Sequence, residues 1–157
     1  GGAVRLGLKS ITAQVADGKR FRPAWREDFD VVLADVPCSG LGVLRKKPEI
    51  RYKDPEELKD LPAIQRSILE NVCRYVRPGG VLLYSTCTLL PQENEEVSEN
   101  FLADHPEFVL EGFSLPGPVG EVPEGQCTLW PQRLKTDGFF LAKFRKIGRT
   151  SEDLPHD

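Results

Sequence analysis

Residues 30–40, DVVLADVPCSG, decide the fold of this chain. Their first part places consecutive apolar side chains between Asp30 and Asp35, which is typical of a strand buried on both faces of a parallel sheet. Pro37 and Gly40 then end the strand and open a loop. The same pattern returns at Val81–Ser85, so the sequence predicts a second buried strand there.

The segment between these two strands predicts a helix. Asp54 is a typical N-cap, and Pro55 suits the first helical position. Apolar side chains follow at helical spacing, and we expect Pro78–Gly80 to end the helix; these apolar residues are Ile64, Ile68, Leu69, Val72, Tyr75 and Val76. Pro91–Ala103 predicts another helix, whose early acidic residues suit the helix dipole.

The remaining segments complete an alternating pattern. Residues 11–16 predict a short strand that ends at the turn pair Asp17-Gly18. Two later strands are expected, at 108–110 and 138–144, separated by a Gly- and Pro-rich loop at 114–136. This alternation predicts an α/β layered fold with a mostly parallel sheet. Ligands of such sheets bind outside the carboxyl ends of the strands.

Composition excludes several classes of protein. The chain has 157 residues, which suits one domain, and no apolar run long enough to span a membrane. Its start shows no signal-peptide hydrophobic region. The net charge of −3 argues weakly against a free-standing nucleic-acid binder. Four cysteines without CxxC spacing and two histidines supply a metal site poorly, and we expect reduced thiols in the cytoplasm.

Two cysteines follow the two buried strands. If these strands are parallel neighbours, the thiols of Cys38 and Cys87 lie at one carboxyl edge together with Asp35. A lone cysteine at a strand end is most often a small buried filler, but two thiols beside a carboxylate indicate chemistry. Spacing alone does not rank the two thiols.

Other interpretations of these residues stay open. A cysteine hydrolase would need a histidine base near the nucleophile, and neither His105 nor His156 is well placed in the sequence. A non-catalytic RNA-binding module is a further alternative, which the net negative charge of the chain disfavours. We interpret Cys73 and Cys127 as structural.

Three motifs resemble those of the RNA cytosine-C5 methyltransferases. Residues 35–40 resemble the Pro-Cys motif of this family, 84–88 its Thr-Cys motif, and 137–140 its closing Asp-Gly-Phe-Phe strand. Residues 45–52 resemble the linking segment of the bacterial ribosomal RNA members, the Sun/RsmB type, and 91–95 also fit. The resemblance runs roughly from Arg5 to Lys146, and three motifs in this order are highly specific.

The resemblance implies a function and roles for individual residues. Cys87 would attack C6 of a cytosine, Cys38 would assist breakdown of the covalent adduct, and Asp35 would contact the cytosine edge. The methyl group would come from S-adenosylmethionine, bound by Asp17, Asp35 and Pro37. Small-subunit ribosomal RNA is the implied substrate, with transfer RNA as an alternative.

The basic run from Arg45 to Lys53 would contact RNA. Arg45 and Arg51 would face RNA phosphates, although a solvated loop is an equally acceptable interpretation of the run.

The chain also departs from the family pattern. We expect a Rossmann-like methyltransferase sheet whose first two strands and glycine-rich donor loop are missing, with antiparallel last strands. Residues 1–147 would form a truncated catalytic domain and 148–157 a C-terminal tail. We therefore expect weak or absent donor binding and no turnover by this chain alone. Strand 30–35 would present an unpaired edge that favours self-association, and no membrane partner is expected.

Overall fold

The structure, a computed structural model, describes residues 2–148 of the chain. It contains seven strands: β1 (Phe29–Asp35), β2 (Val76–Thr86), β3 (Phe108–Leu110), β4 (Phe113–Leu115), β5 (Gly120–Val122), β6 (Gln126–Leu129) and β7 (Phe139–Lys146). It also contains five α-helices: α1 (Gly2–Arg5), α2 (Pro55–Leu58), α3 (Leu61–Val72), α4 (Glu95–Asp104) and α5 (Pro131–Leu134). Short 3₁₀ turns lie at 23–25, 41–43, 48–52, 73–75 and 91–93.

The main sheet is mixed. Its strand order is β1-β2-β7-β3, and β6 also pairs with β7. β1 and β2 are parallel, with Asp35 opposite Ser85 at their carboxyl ends. β7 is antiparallel to β2, β3 and β6, so the expected antiparallel last strands are confirmed. The expectation of a mostly parallel sheet is wrong for the described residues, because β7 enters between β2 and β3 in the opposite direction.

The core lies on one face of this sheet. Helices α3 and α4 cover that face and contribute Leu69, Val97 and Phe101, all of which are buried. The sheet contributes Ala34, Leu82, Tyr84, Phe140, Ala142 and Phe144. Successive strand residues point to opposite faces, so Val31 and Leu33 point away from this core. They are 56% and 64% exposed in the described chain.

Both strands and the helix cap lie where the sequence predicts them, but the prediction that β1 is buried on both faces is wrong, because Val31 and Leu33 face away from the core and are exposed. The Asp54 side chain accepts a hydrogen bond from the backbone N–H of Glu56 and caps α2, with Pro55 at the first helical position. The expected single helix is instead broken into α2 and α3, and its helical turns end at Tyr75. Pro78–Gly80 therefore lie within β2 and not at a helix end, with Gly79 at a φ of 78°.

Three other predictions need correction. Residues 11–16 form no strand, because no described strand lies beside them to pair with their backbone, and they are exposed. Residues 114–136 are not a plain loop, since β4 and β5 form a hairpin and β6 joins the main sheet. The second helix begins at Glu95, because residues 91–93 form a separate 3₁₀ turn.

The longest helix, α3, has 12 residues. Every helix in residues 2–148 is too short or too polar to span a bilayer. Residues 149–157 of the expected C-terminal tail lie outside the described residues.

Candidate active site at the carboxyl edge of the sheet

The thiols of Cys38 and Cys87 meet at the carboxyl ends of β1 and β2. Their Sγ atoms are 3.3 Å apart, and the backbone N–H of Cys87 also donates to Cys38 Sγ at 3.3 Å. Both cysteines are free and half-buried. The parallel pairing of β1 with β2 explains the contact, because it brings the loops after both strands to one edge.

Burial makes the thiol of Cys38 a weaker acid. Burial, aided by the hydrogen bond with Cys87, raises the pKa of Cys38 to about 12. Cys38 therefore stays protonated at neutral pH. The other two cysteines lie elsewhere: burial raises the pKa of Cys73, in the core after α3, to about 12, and it also raises the pKa of Cys127, on β6.

A buried polar network lies beneath the two thiol loops. The hydroxyls of Ser39 and Thr88 are hydrogen-bonded at 2.6 Å and so join one loop to the other. Glu93 and Asn94, both buried, contact the same loops through their side chains. Sequence reasoning assigned no role to these two residues. The available signal was a pair of polar residues just before a helix whose first turn is acidic.

Two glycines close the loop after Cys38 onto the site. The N–H of Gly42 donates to the carbonyl of Cys87 at 2.9 Å, and the N–H of Gly138 donates to the carbonyl of Gly42 at 2.8 Å. A Cβ on Gly42 would overlap the carbonyl of Gly138, so only glycine permits this approach. An ion pair between Lys46 and Asp137 adds a second link between these segments.

Asp35 lines a cavity formed by residues of β1, β2, β4 and β7. Its Oδ1 accepts a hydrogen bond from Ser85 Oγ at 2.9 Å. The cavity has a volume of about 590 Å³ and is otherwise mainly apolar, with Leu33, Leu83 and Phe113 among its walls. Pro37 is exposed in the loop that follows β1.

Asp17 does not join this group. It lines a different cavity, of about 260 Å³, together with Trp25, Val31 and Tyr75. The described residues therefore place Asp35 and Pro37 at the same sheet edge as the thiols, whereas Asp17, the third residue expected at a methyl donor, lines a different cavity.

The basic segment is anchored beside Cys38. Ile50 is buried against Gly40, and Lys53 Nζ donates to the carbonyl of Ser39 at 3.2 Å. Arg45 and Arg51 are exposed. The ring of Tyr52 is 84% exposed, so this segment presents cations and an aromatic face to solvent near the thiols.

The described histidine is not placed to serve the thiols. His105 follows the C-terminal end of α4 and hydrogen-bonds to Glu70 and Glu107. The ten residues of α4 separate it from the site, a rise of about 15 Å. This geometry disfavours a cysteine hydrolase. His156 lies outside the described residues, and residues 2–148 contain no group of three or more potential metal ligands.

The chain matches known proteins along nearly its whole length. The family model described as 16S rRNA methyltransferase RsmB/F matches residues 2–145. The probable ribosomal RNA small subunit methyltransferase B of Bacillus subtilis is 40% identical over 153 residues, which cover 93% of this chain and 34% of that protein. Ribosomal RNA small subunit methyltransferase F of Salmonella agona is 41% identical over 148 residues, 91% of this chain and 31% of that protein.

The chain also aligns with solved structures along most of its length. The crystal structure of PH0851 aligns with a TM-score of 0.83 and 37% identity, covering 92% of this chain and 33% of that one. The crystal structure of NSun6 from Pyrococcus horikoshii with SFG aligns with a TM-score of 0.69 and 28% identity, covering 94% of this chain and 37% of that one. The chain thus spans about a third of the length of the curated relatives it matches.

Proposed function

Because the chain belongs to the 16S rRNA methyltransferase RsmB/F family, we propose that it provides the thiol chemistry of an RNA cytosine-C5 methyltransferase. The reaction would transfer a methyl group from S-adenosylmethionine to C5 of a cytosine in small-subunit ribosomal RNA, in the cytoplasm. The observation that carries the proposal is the contact between the Cys38 and Cys87 thiols at the carboxyl edge of the sheet, where ligands of such folds bind.

A thiol solves the chemical problem that cytosine poses. C5 of cytosine is a poor nucleophile. Addition of the Cys87 thiolate to C6 breaks the C5–C6 double bond and leaves an enamine-like C5 that can attack an electrophile. The methyl donor supplies that electrophile as the methyl group on its sulfonium.

The second thiol suits the release step. After transfer, C5 loses its proton to water, and the C6–S bond to Cys87 breaks as the C5–C6 double bond returns. Cys38 is protonated at neutral pH because burial raises its pKa to about 12. Its S–H lies within hydrogen-bond distance of Cys87 Sγ and can stabilise the departing thiolate.

The residues around the thiols suit a nucleobase better than they suit the whole donor. Asp35, oriented by Ser85, would contact the amino edge of the cytosine. Asp35 and Pro37 could also touch the donor, but Asp17 lines a separate cavity. We therefore expect millimolar or absent binding of S-adenosylmethionine to this chain by calorimetry. Micromolar binding would contradict this part of the proposal.

The basic segment would hold the RNA. Arg45 and Arg51 can contact phosphates, which is the main source of affinity for RNA. The exposed ring of Tyr52 offers a surface on which a base can stack. Such contacts would support the RNA while the target cytosine is swung out of its own stack.

The test is a covalent trap. A protein of the relatives' full length that carries these residues is incubated with S-adenosylmethionine and RNA containing 5-fluorocytosine. Fluorine replaces the proton that C5 must lose, so the adduct accumulates and is seen as a shifted band on a denaturing gel. We expect it to survive Cys38→Ala and to vanish with Cys87→Ala.

The trap has a matched control. Cys127→Ala removes another half-buried thiol, on β6, and should leave the adduct unchanged. An adduct that persists in Cys87→Ala would overturn the assignment of the nucleophile.

A further inference from the structure

We propose that Glu93 and Asn94 are positioning residues that hold the thiols of Cys38 and Cys87 in contact. These two neighbours in sequence each fix the loop of one cysteine. The catalytic use of this contact rests on the proposed function, but the contact itself can be measured without any methyl transfer.

Glu93 fixes both neighbours of Cys38. The side chain is 2% exposed, and its Oε1 accepts the backbone N–H of Ser39 at 2.9 Å. The same oxygen accepts Gln65 Nε2 at 2.7 Å, and this amide also donates to the carbonyl of Pro37 at 3.0 Å. The backbone on each side of Cys38 is thus tied to one carboxylate, directly or through one amide.

Asn94 fixes both neighbours of Cys87. Its side chain is fully buried, and its Oδ1 accepts the hydroxyl of Thr86 at 2.6 Å. Its Nδ2 donates to the carbonyl of Thr88 at 3.1 Å. Both neighbours of Cys87 are therefore held by one amide.

Glu93 and Asn94 are themselves anchored to the hydrophobic core. Tyr84, in the core of β2, donates its hydroxyl to the carbonyl of Glu93 at 2.6 Å. Helix α4 begins directly after Asn94 and is packed into the core by Val97 and Phe101. The separation of the two thiols therefore depends on one peptide unit that the core holds in place.

Stability alone explains Glu93 poorly. None of the ion pairs among residues 2–148 includes Glu93, and its Oε2 is buried without a hydrogen-bond partner. A buried polar oxygen without a hydrogen-bond partner lowers stability. Oε1 of Gln65, whose Nε2 donates to Glu93, also lacks a partner. Glu93→Gln keeps an oxygen for Ser39 and adds an N–H that Gln65 can accept, so this variant should be folded at least as stably.

The experiment measures thiol contact directly. The 157-residue chain carrying Cys127→Ser is treated with a short reagent that reacts with two thiols, and the Cys38–Cys87 cross-link is quantified by peptide mass spectrometry. We expect Glu93→Ala and Asn94→Ala to slow cross-linking by about tenfold or more, since displacements of about 1 Å have effects of that size. Glu93→Gln should stay within about twofold of the parent rate, because it retains the acceptor for Ser39.

Controls separate positioning from folding. Glu96→Ala, an exposed change in the first turn of α4, should leave both cross-linking and the melting temperature unchanged. If an alanine variant does not fold, Asn94→Asp replaces it: the carboxylate still accepts from Thr86 but cannot donate to Thr88, and cross-linking should slow. Parent-rate cross-linking in folded Glu93→Ala or Asn94→Asp would overturn the proposal. If the Glu93 and Asn94 variants slow cross-linking as expected but no RNA adduct forms, the result counts against the proposed function only.

Discussion

The Sγ atoms of Cys38 and Cys87 lie 3.3 Å apart, although 49 residues separate the two cysteines in the sequence. The contact depends on the parallel register that sets Asp35 opposite Ser85, and on the Glu93-Asn94 pair beneath the two loops. Chemistry at either thiol should therefore depend on the other.

The first prediction concerns the order in which the thiols react. Burial raises the pKa of Cys38 and of Cys73 to about 12, so both are almost entirely protonated at pH 8. We expect iodoacetamide to modify Cys87 before Cys38, as read by peptide mass spectrometry over time.

A variant tests the cause of this order. Because the side-chain hydrogen bond with Cys87 contributes to the raised pKa, Cys87→Ala should make Cys38 react faster than it does in the parent. The control Cys127→Ala should leave the rate at Cys38 unchanged. Modification of Cys38 ahead of Cys87 in the parent would contradict the prediction.

The second prediction concerns the close approach at Gly42. An added Cβ would overlap the carbonyl of Gly138 and lie 2.9 Å from the carbonyl of Cys87, both of them backbone atoms that cannot move aside cheaply. We expect Gly42→Ala to lower the free energy of unfolding by about 1–3 kcal/mol or more, measured by urea denaturation. Gly148→Ala, where a Cβ meets nothing, is the matched control. Equal stability of the two variants would rule out the packing described here.

The third prediction concerns pH. Burial lowers the pKa of His105, but hydrogen bonds to Glu107 and Glu70 outweigh it, so the pKa is raised overall. A raised pKa in the folded state adds stability that is fully present below the unfolded value of about 6.5 and is lost as pH rises through the folded value. The loss should be below about 1 kcal/mol, because both carboxylates are partly exposed.

This pH effect is measured by urea denaturation from pH 5.5 to 8.5, together with an NMR titration of His105. In His105→Gln the free energy of unfolding should vary less over that range. A folded-state pKa of His105 below 6.5 would show that burial dominates instead.

The fourth prediction concerns the free side of β1. In the described chain β1 pairs only with β2, and Val31 and Leu33 are largely exposed. An apolar edge strand of this kind favours pairing between copies. We expect sedimentation equilibrium to show concentration-dependent association of this chain, reduced by Leu33→Lys. Val15→Lys, at a position that is 99% exposed and outside the sheet, serves as control. A strict monomer at high concentration would contradict the prediction.

The parts of the fold that sequence predicted well depend on strong local patterns. The apolar run of β1, that of β2 and the Asp54-Pro55 helix start each mark an element without help from distant residues. Parallel pairing of the two strands then placed both thiols at one edge. The family resemblance was needed to rank Cys87 over Cys38, because the spacing in the sequence treats the two thiols alike.

The parts that sequence missed depend on distant partners. Residues 11–16 have a strand-like pattern, but a strand needs a neighbour to pair with, and the described chain provides none there. The β4–β5 hairpin and β6 are short and lie in a segment without clear alternation. Glu93 and Asn94 look like an ordinary polar helix start, and only tertiary contacts reveal that they reach the two cysteine loops.

The short distance between the two thiols also has a redox consequence. A peroxide that oxidises one of them to a sulfenic acid would leave the other in position to displace water and close a disulfide. One molecule of oxidant would thus consume both cysteines of the site at once, although Cys73 and Cys127 would remain reduced. Preparations kept without a reducing agent should lose the paired thiols together, and a dithiol reductant should return both.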